Sequence, residues 1–302
     1  MSSYKDVSSY GLAVRVRSHK TVLVEGATDK IVISKLILSK TYSQGQKLRF
    51  FIDDASMIKE DPMLARLGNK EKVLLIANRV SDDKFGVVVD REWDQLDIRN
   101  LSDADFCQNR MGVYVTKGHS IENYWFDCDA VISFIISSFS SVIGTDLLDE
   151  IKARFPAMIR FAAAYSIAAK ESSAITRLGD LLSAADVGIS GGVINLLPVY
   201  NAKAQGRGVM GDIPSLVGAK LQELNACDVG LLRWICHGHL GEEAIRASVA
   251  KLAHSCGVSQ NVCREIERGK KVEKLSHDTD YLSRQDDQSL EPLNQVLRWV
   301  RE

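Results

Sequence analysis

The sequence predicts an α/β fold: a mainly parallel sheet with flanking helices, followed by an α-helical carboxyl-terminal region. Three observations predict it. Short apolar runs, Thr21–Val24 and Phe85–Val89 foremost, read as strands buried on both faces, as parallel strands are. Stretches with helical spacing alternate with these runs, the pattern of strand–helix–strand units. From about Phe126 onward alanine, leucine, isoleucine and serine dominate, and helical spacing replaces the short runs. The expected division is an α/β domain over residues 1–126 and a helical domain over 127–302. The second domain is the candidate surface for a substrate, a second copy or a partner.

Residues 1–20 are polar, with an apolar alternation at Leu12, Val14 and Val16 that reads as a lead-in strand or arm. Lys20–Val24 is the first strand and delivers Glu25 at its tip. Gly26, without a Cβ, is expected to let the chain turn tightly there. Asp29–Lys40 carries apolar residues at 31, 32, 33, 36, 37 and 38, a spread that suits a helix packed on a sheet. Tyr42–Gln46 is a polar turn, and Lys47–Ile52 a second strand running into Asp53 and Asp54. A helix follows at Glu71–Val80, then the apolar run Phe85–Val89, which ends in Asp90. Met111–Val115 is the fourth strand and leads directly into Thr116–Trp125.

In the second half helices are expected at 128–140, 145–155, 157–171, 173–185, 214–225, 228–236, 241–254, 258–269 and 288–301. The glycine-rich stretch Val187–Ile213 reads as a surface loop carrying Lys203 and Arg207. Residues 290, 293, 296, 297 and 300 form an apolar stripe suited to docking on the domain or on a second subunit. The four tryptophans, Trp93, Trp125, Trp234 and Trp299, read as core anchors.

A chain of 302 residues, 45% hydrophobic and 25% charged, builds a core of ordinary size without disulfide or metal staples. Its formal net charge of −1 excludes a strong global field for nucleic acid and leaves room for local basic surfaces. The six cysteines contain no CxxC pair and point to free thiols in a reducing compartment. The amino terminus has no basic segment followed by an apolar one, and the apolar run Ala130–Phe139 is too short to span a bilayer. A cytoplasmic protein with no membrane segment is expected.

The acids form the candidate site. Glu25 sits at one strand tip and Asp29 on the next helical turn; Asp90, Glu92 and Asp94 follow another strand. Side chains alternate along a strand, so Asp90 and Glu92 are expected to share a side. In an open parallel sheet, the carboxyl ends of strands meet in the crevice where ligands bind. That many negative charges repel unless a cation neutralises them, and oxygen ligands with few histidines favour Mg²⁺ or Mn²⁺ over zinc. Two such ions roughly 3.5–4 Å apart activate a water and stabilise the leaving oxygen in phosphodiester cleavage.

Val24-Glu-Gly-Ala-Thr-Asp29 followed by Val88-Val-Asp-Arg-Glu92 resembles the two acidic motifs of a Toprim domain, the fold shared by topoisomerases, primases and OLD-family nucleases. His119-Ser-Ile-Glu-Asn-Tyr124 is similar to a segment of one Toprim branch. That branch supplies the nuclease partner of an ABC- or AAA-type ATPase in PARIS-type anti-phage defence. The resemblance covers residues 20–126, and the remainder only loosely through Trp234–His239. It implies Glu25 as acid–base or metal-bridging residue, Asp90 and Glu92 as ligands of Mg²⁺ (or Mn²⁺), and Asp29 and Glu122 as completing a second metal site. Glu92 stands where the pattern has aspartate, and no lysine block is evident, which leaves Lys117 and His119 as the candidate phosphate-side groups. It further implies a toxic effector that cuts nucleic acid: host RNA such as tRNA by the nearer branch, DNA by the wider OLD family. A partner ATPase would hold it inactive, and a homodimer is implied. The alternative is a non-catalytic module that keeps the Toprim shape.

Two further features carry less chemistry. Arg264, Arg268, Lys270 and Lys271 make the densest basic stretch and, with Lys203 and Arg207, are the candidate nucleic-acid contacts. Cys236, His237, His239, His254, Cys256 and Cys263 match no zinc-finger or ribbon spacing.

Overall fold

The computed structural model describes residues 3–45, 47–94 and 112–302, leaving aside the side chains of 271 and 272. Cys107 and Met111 therefore lie outside the described residues. The chain forms two compact units. One gathers the described residues of Met1–Gln95 and Ser102–Lys117 together with Thr279–Glu302, the other Gly118–Asp278. Composition places the division at 126; contacts place it after Lys117 and group the last helix with the α/β unit.

The first unit is a four-stranded, all-parallel sheet of β1 (Thr21–Val24), β2 (Phe51–Asp54), β3 (Phe85–Val89) and β4 (Val113–Val115), in the order β2-β1-β3-β4. β1 and β3 are buried along their whole length, which explains their unbroken apolar sequence. One face packs Leu23, Phe85, Val87 and Val89 with α1 (Val7–Val16) and α3 (Asn69–Arg79). α2 (Ala27–Ser43) contacts β1 and β2 and buries Val32, Ile33, Leu36 and Ile37.

α1 corrects the expected strand or arm. Asp6 caps it through Ser9, and the buried residues Val7, Tyr10 and Val14 follow helical spacing. Leu12 and Val16, which carried the alternation, are exposed. α13 (Leu293–Arg301) is shorter than expected, yet the residues of its stripe are all buried: Leu290, Leu293, Val296, Leu297 and Val300. Its Trp299 lies 6.0 Å from Tyr114 of β4 and close over Gly86, where an added Cβ would meet the indole at 3.1 Å. Glycine is therefore the residue that fits mid-strand there.

In the second unit, α4 (Cys128–Phe139) precedes α5 (Thr145–Glu171), a single helix where two had been expected on either side of Pro156. Pro156 is exposed, so the lost amide hydrogen bond leaves no buried orphan on the packed face. Residues 173–185 are not one helix: α6 spans only Ile175–Leu178, and a 3-10 turn follows at Ala184–Asp186. The expected loop 187–213 contains an antiparallel hairpin, β5 (Val187–Ser190) and β6 (Val193–Leu196), and α7 (Tyr200–Gly206). α8 (Ile213–Glu223), α9 (Val229–Ile235), α10 (Gly238–Ser255) and α11 (Gln260–Arg268) follow as expected to within a few residues. α12 (Lys271–Arg284) was not expected. α5 packs on α8, α9 and α10 as the core of this unit. Trp125 and Trp234 are buried; Trp93 and Trp299 are only partly so. The five described cysteines are free, and no described helix is long and apolar enough to cross a membrane.

Candidate active site

The order β2-β1-β3-β4 places the reversal of strand order between β1 and β3. The chain leaves β1 for β2 on one side, then returns to β3 on the other. At such a point the loops after the two strands diverge and open a crevice at their carboxyl ends. Glu25 follows β1 immediately and Asp90 follows β3 immediately. The two are joined: the Asp90 amide donates to Glu25 Oε1 at 2.7 Å. Burial pushes the Glu25 carboxyl up to about 7; the Asp90 amide opposes this, the Asp29 and Glu92 carboxylates add to it, and Lys70 opposes it. Asp29 and Glu92 thus act on Glu25 through their charge, and Asp90 through its backbone amide.

The local chain differs from expectation at two points. Gly26 is the N-cap of α2 in an extended conformation, φ −146°, that any residue adopts, so no tight turn there demands glycine. The Gly26 amide donates to Asp29 Oδ2 at 3.0 Å, so Asp29 also closes the first turn of α2. β3 stops at Val89, so strand alternation does not govern Glu92. Glu92 instead has φ 56°, in the left-handed region, where a non-glycine residue costs about 1 kcal/mol.

Lys70, at the start of α3, was not read from the sequence. Its Nζ donates to the Arg91 carbonyl and to Asp94 Oδ2, both at 2.7 Å, and its charge acts on Glu25. Arg91 is buried; its amide donates to Thr116 Oγ1 at 3.0 Å and its guanidinium to the carbonyls of Asp94, at 3.1 Å, and Lys117, at 3.4 Å. The backbone of Lys117 is thereby tied to the turn after β3.

His119 and Glu122 belong to the second unit. The His119 amide donates to the Trp234 carbonyl at 2.8 Å, and its ring lies 4.6 Å from that of His237. Burial lowers the His237 imidazole to about 4, with His239 adding to the effect. Asn123 fastens the segment. Its Oδ1 accepts from the Ser120 amide at 2.8 Å, and its Nδ2 donates to the carbonyls of Arg233 at 2.6 Å and Cys236 at 2.9 Å. A Cβ on Gly238 would lie 2.4 Å from Ser120 Oγ and 2.7 Å from Glu122 Oε2, so a larger residue there would displace both side chains. His119–Tyr124 and Trp234–His239, noted separately in the sequence, are one packed substructure.

The basic candidates are scattered in role. Lys203 is committed to the buried Asp186 at 2.6 Å. Arg268 pairs with Glu265 and Lys270 with Glu273, each at 3.3 Å. Arg207 and Arg264 are exposed, and the Lys271 side chain lies outside the described residues. Among the described residues no three or more His, Cys, Asp or Glu side chains are drawn together as a metal centre. The donor chemistry at Glu25 nonetheless suits Mg²⁺ or Mn²⁺: the groups are carboxylates, and the repulsion that Asp29 and Glu92 impose on Glu25 is what a hard cation relieves. Compared with known protein families and with curated proteins, the chain matches none.

Proposed function

We propose that the chain is a metal-dependent nuclease of Toprim type, with its site at the β1–β3 switch point. The observation that carries the reading is the Glu25–Asp90 junction at the carboxyl ends of two adjacent parallel strands, with the Glu25 carboxyl raised to about 7. A carboxyl poised near neutrality both takes and gives a proton at working pH. Glu25 would accept the proton of the water that attacks the phosphorus and return it to the leaving oxygen as the P–O bond breaks. The Asp90 amide holds Glu25 Oε1 in place. Asp29, Asp90 and Glu92 would hold Mg²⁺ or Mn²⁺, which when bound supplies positive charge to the phosphate oxygens. Lys70 adds fixed positive charge beside these acids.

By the resemblance of the two acidic motifs and of His119–Tyr124, the substrate is host RNA such as tRNA. The setting is the cytoplasm, as the toxic effector of a two-component defence system. The chain forms a homodimer held inactive by an ABC- or AAA-type ATPase. Expressed alone in growing bacteria, the parent is expected to arrest growth and Glu25→Ala to permit it at equal soluble yield. Equal toxicity of the two overturns the proposal.

One observation favours a second reading, a non-catalytic module of the same shape. Glu25 and Asp29 each accept a backbone amide, so both also have a structural use. Calorimetry separates the two: millimolar Mg²⁺ or Mn²⁺ binds the nuclease and leaves the module silent.

A further inference from the structure

We infer that the first unit carries a second binding site, for a nucleoside phosphate, at the opposite end of the strands from Glu25. An open pocket of about 560 Å³ lies there, within the range that holds small ligands. It is lined by His19, Leu38, Thr41, Tyr42, Lys47 and Arg49, with Leu48 alongside. His19 precedes β1 and Arg49 precedes β2, so the pocket opens at the amino ends of two neighbouring parallel strands, beside the end of α2.

Its chemistry is one-sided. Lys47 and Arg49 are exposed, neither has an ion-pair partner among the described residues, and no carboxylate lines the pocket. This contrasts with neighbouring cations that are engaged: Arg17 with Asp53 at 2.5 Å, and Lys30 with Asp54 at 3.4 Å. Thr41 borders the pocket from the last turns of α2 and is itself buried. Tyr42 is 87% exposed and Leu38 56% exposed, so an aromatic ring and an aliphatic side chain stand beside the cations. Cations for phosphate and an aromatic face for a base are the elements of single-strand recognition. Arg49 offers a planar fork for phosphate oxygens and Lys47 a point charge. The site does not depend on the cleavage proposed at Glu25.

The test uses the full chain as Glu25→Gln in EDTA, so that neither cleavage nor metal at the acidic site enters the result. A fluorescein-labelled single-stranded oligonucleotide of about ten nucleotides is titrated by anisotropy. AMP and inorganic phosphate serve as competitors. Lys47→Ala with Arg49→Ala is expected to weaken binding at least about tenfold and to flatten the slope of log K against log salt by about 1.4. Tyr42→Ala is expected to weaken binding about tenfold and leave that slope unchanged. AMP displaces the probe, and phosphate does so at least about tenfold less well because it offers no base to stack. Displacement by AMP at the oligonucleotide's own affinity identifies a free nucleotide as the ligand; a tighter oligonucleotide identifies a strand. The inference is overturned if the oligonucleotide and AMP both fail to bind, or if both variants bind as the parent does. All three substituted side chains are exposed, so the fold is expected to tolerate their loss.

Discussion

Replacing Glu25 by glutamine is expected to stabilise the metal-free protein at alkaline pH. In the folded chain the carboxyl titrates near 7 against an ordinary value of 4.5. Between those two values the unfolded chain has lost its proton and the folded chain has kept it, so stability falls as pH rises. Above about 7 both forms are ionised and the loss is complete. At about 1.4 kcal/mol per pH unit the gap corresponds to roughly 3 kcal/mol, reduced to about 2 kcal/mol because Glu25 is only partly buried. Glutamine keeps an oxygen for the Asp90 amide and cannot ionise. Urea unfolding in EDTA is expected to show Glu25→Gln about 2 kcal/mol more stable than the parent at pH 8, with the gain shrinking below about 1 kcal/mol at pH 5. Equal stability at pH 8, or a gain of the same size at both pH values, refutes the reasoning.

Asn123→Ala removes the two hydrogen bonds that bind His119–Tyr124 to the turn at Arg233 and Cys236 and the one from the Ser120 amide within the segment, and thermal unfolding is expected to register a loss of about 2–4 kcal/mol. Lys274 sits between Glu242, at 2.5 Å, and the buried Asp278; Lys274→Met removes the cation the two carboxylates share, leaves Glu242 with Arg246 alone, and is expected to cost about 2–4 kcal/mol by urea unfolding at pH 7. Burial alone would raise Glu242, but Lys274 and Arg246 hold it down at about 2. Its contribution is therefore present above 4.5 and lost as pH falls toward 2, and Glu242→Gln is expected to flatten the acid limb of a stability–pH curve in that window. Pro156→Ala restores a helix amide in α5 at an exposed position and is expected to raise stability by about 1–3 kcal/mol; an unchanged or lower melting temperature contradicts this.

What could be read from the chain followed the strength of the local signal. Phe85–Val89 stands where its apolar run put it, because a strand buried on both faces admits little else. The terminal stripe was equally plain, since every one of its positions packs. α1 was misread because the exposed Leu12 and Val16 imitate a strand period around the buried Val14. Within the glycine-rich stretch Val187–Ile213, Gly191 and Gly192 have positive φ, 56° and 83°, and make the two-residue turn between β5 and β6, which composition alone does not separate from a loop. At the candidate site, Glu25 and Asp90 were legible as strand tips. The left-handed Glu92 and the approach of Lys70 were not, because a turn conformation and a contact made through the tertiary fold leave no local pattern.

Incubating the purified chain and its Glu25→Gln variant with total RNA and plasmid DNA in Mg²⁺ bears most directly on the proposed role of the β1–β3 crevice. The parent is expected to cut RNA, the variant to leave it intact, and EDTA to silence the parent. Cleavage by the variant at the parent's rate, or no cleavage of either pool by the parent, contradicts a nuclease centred on Glu25.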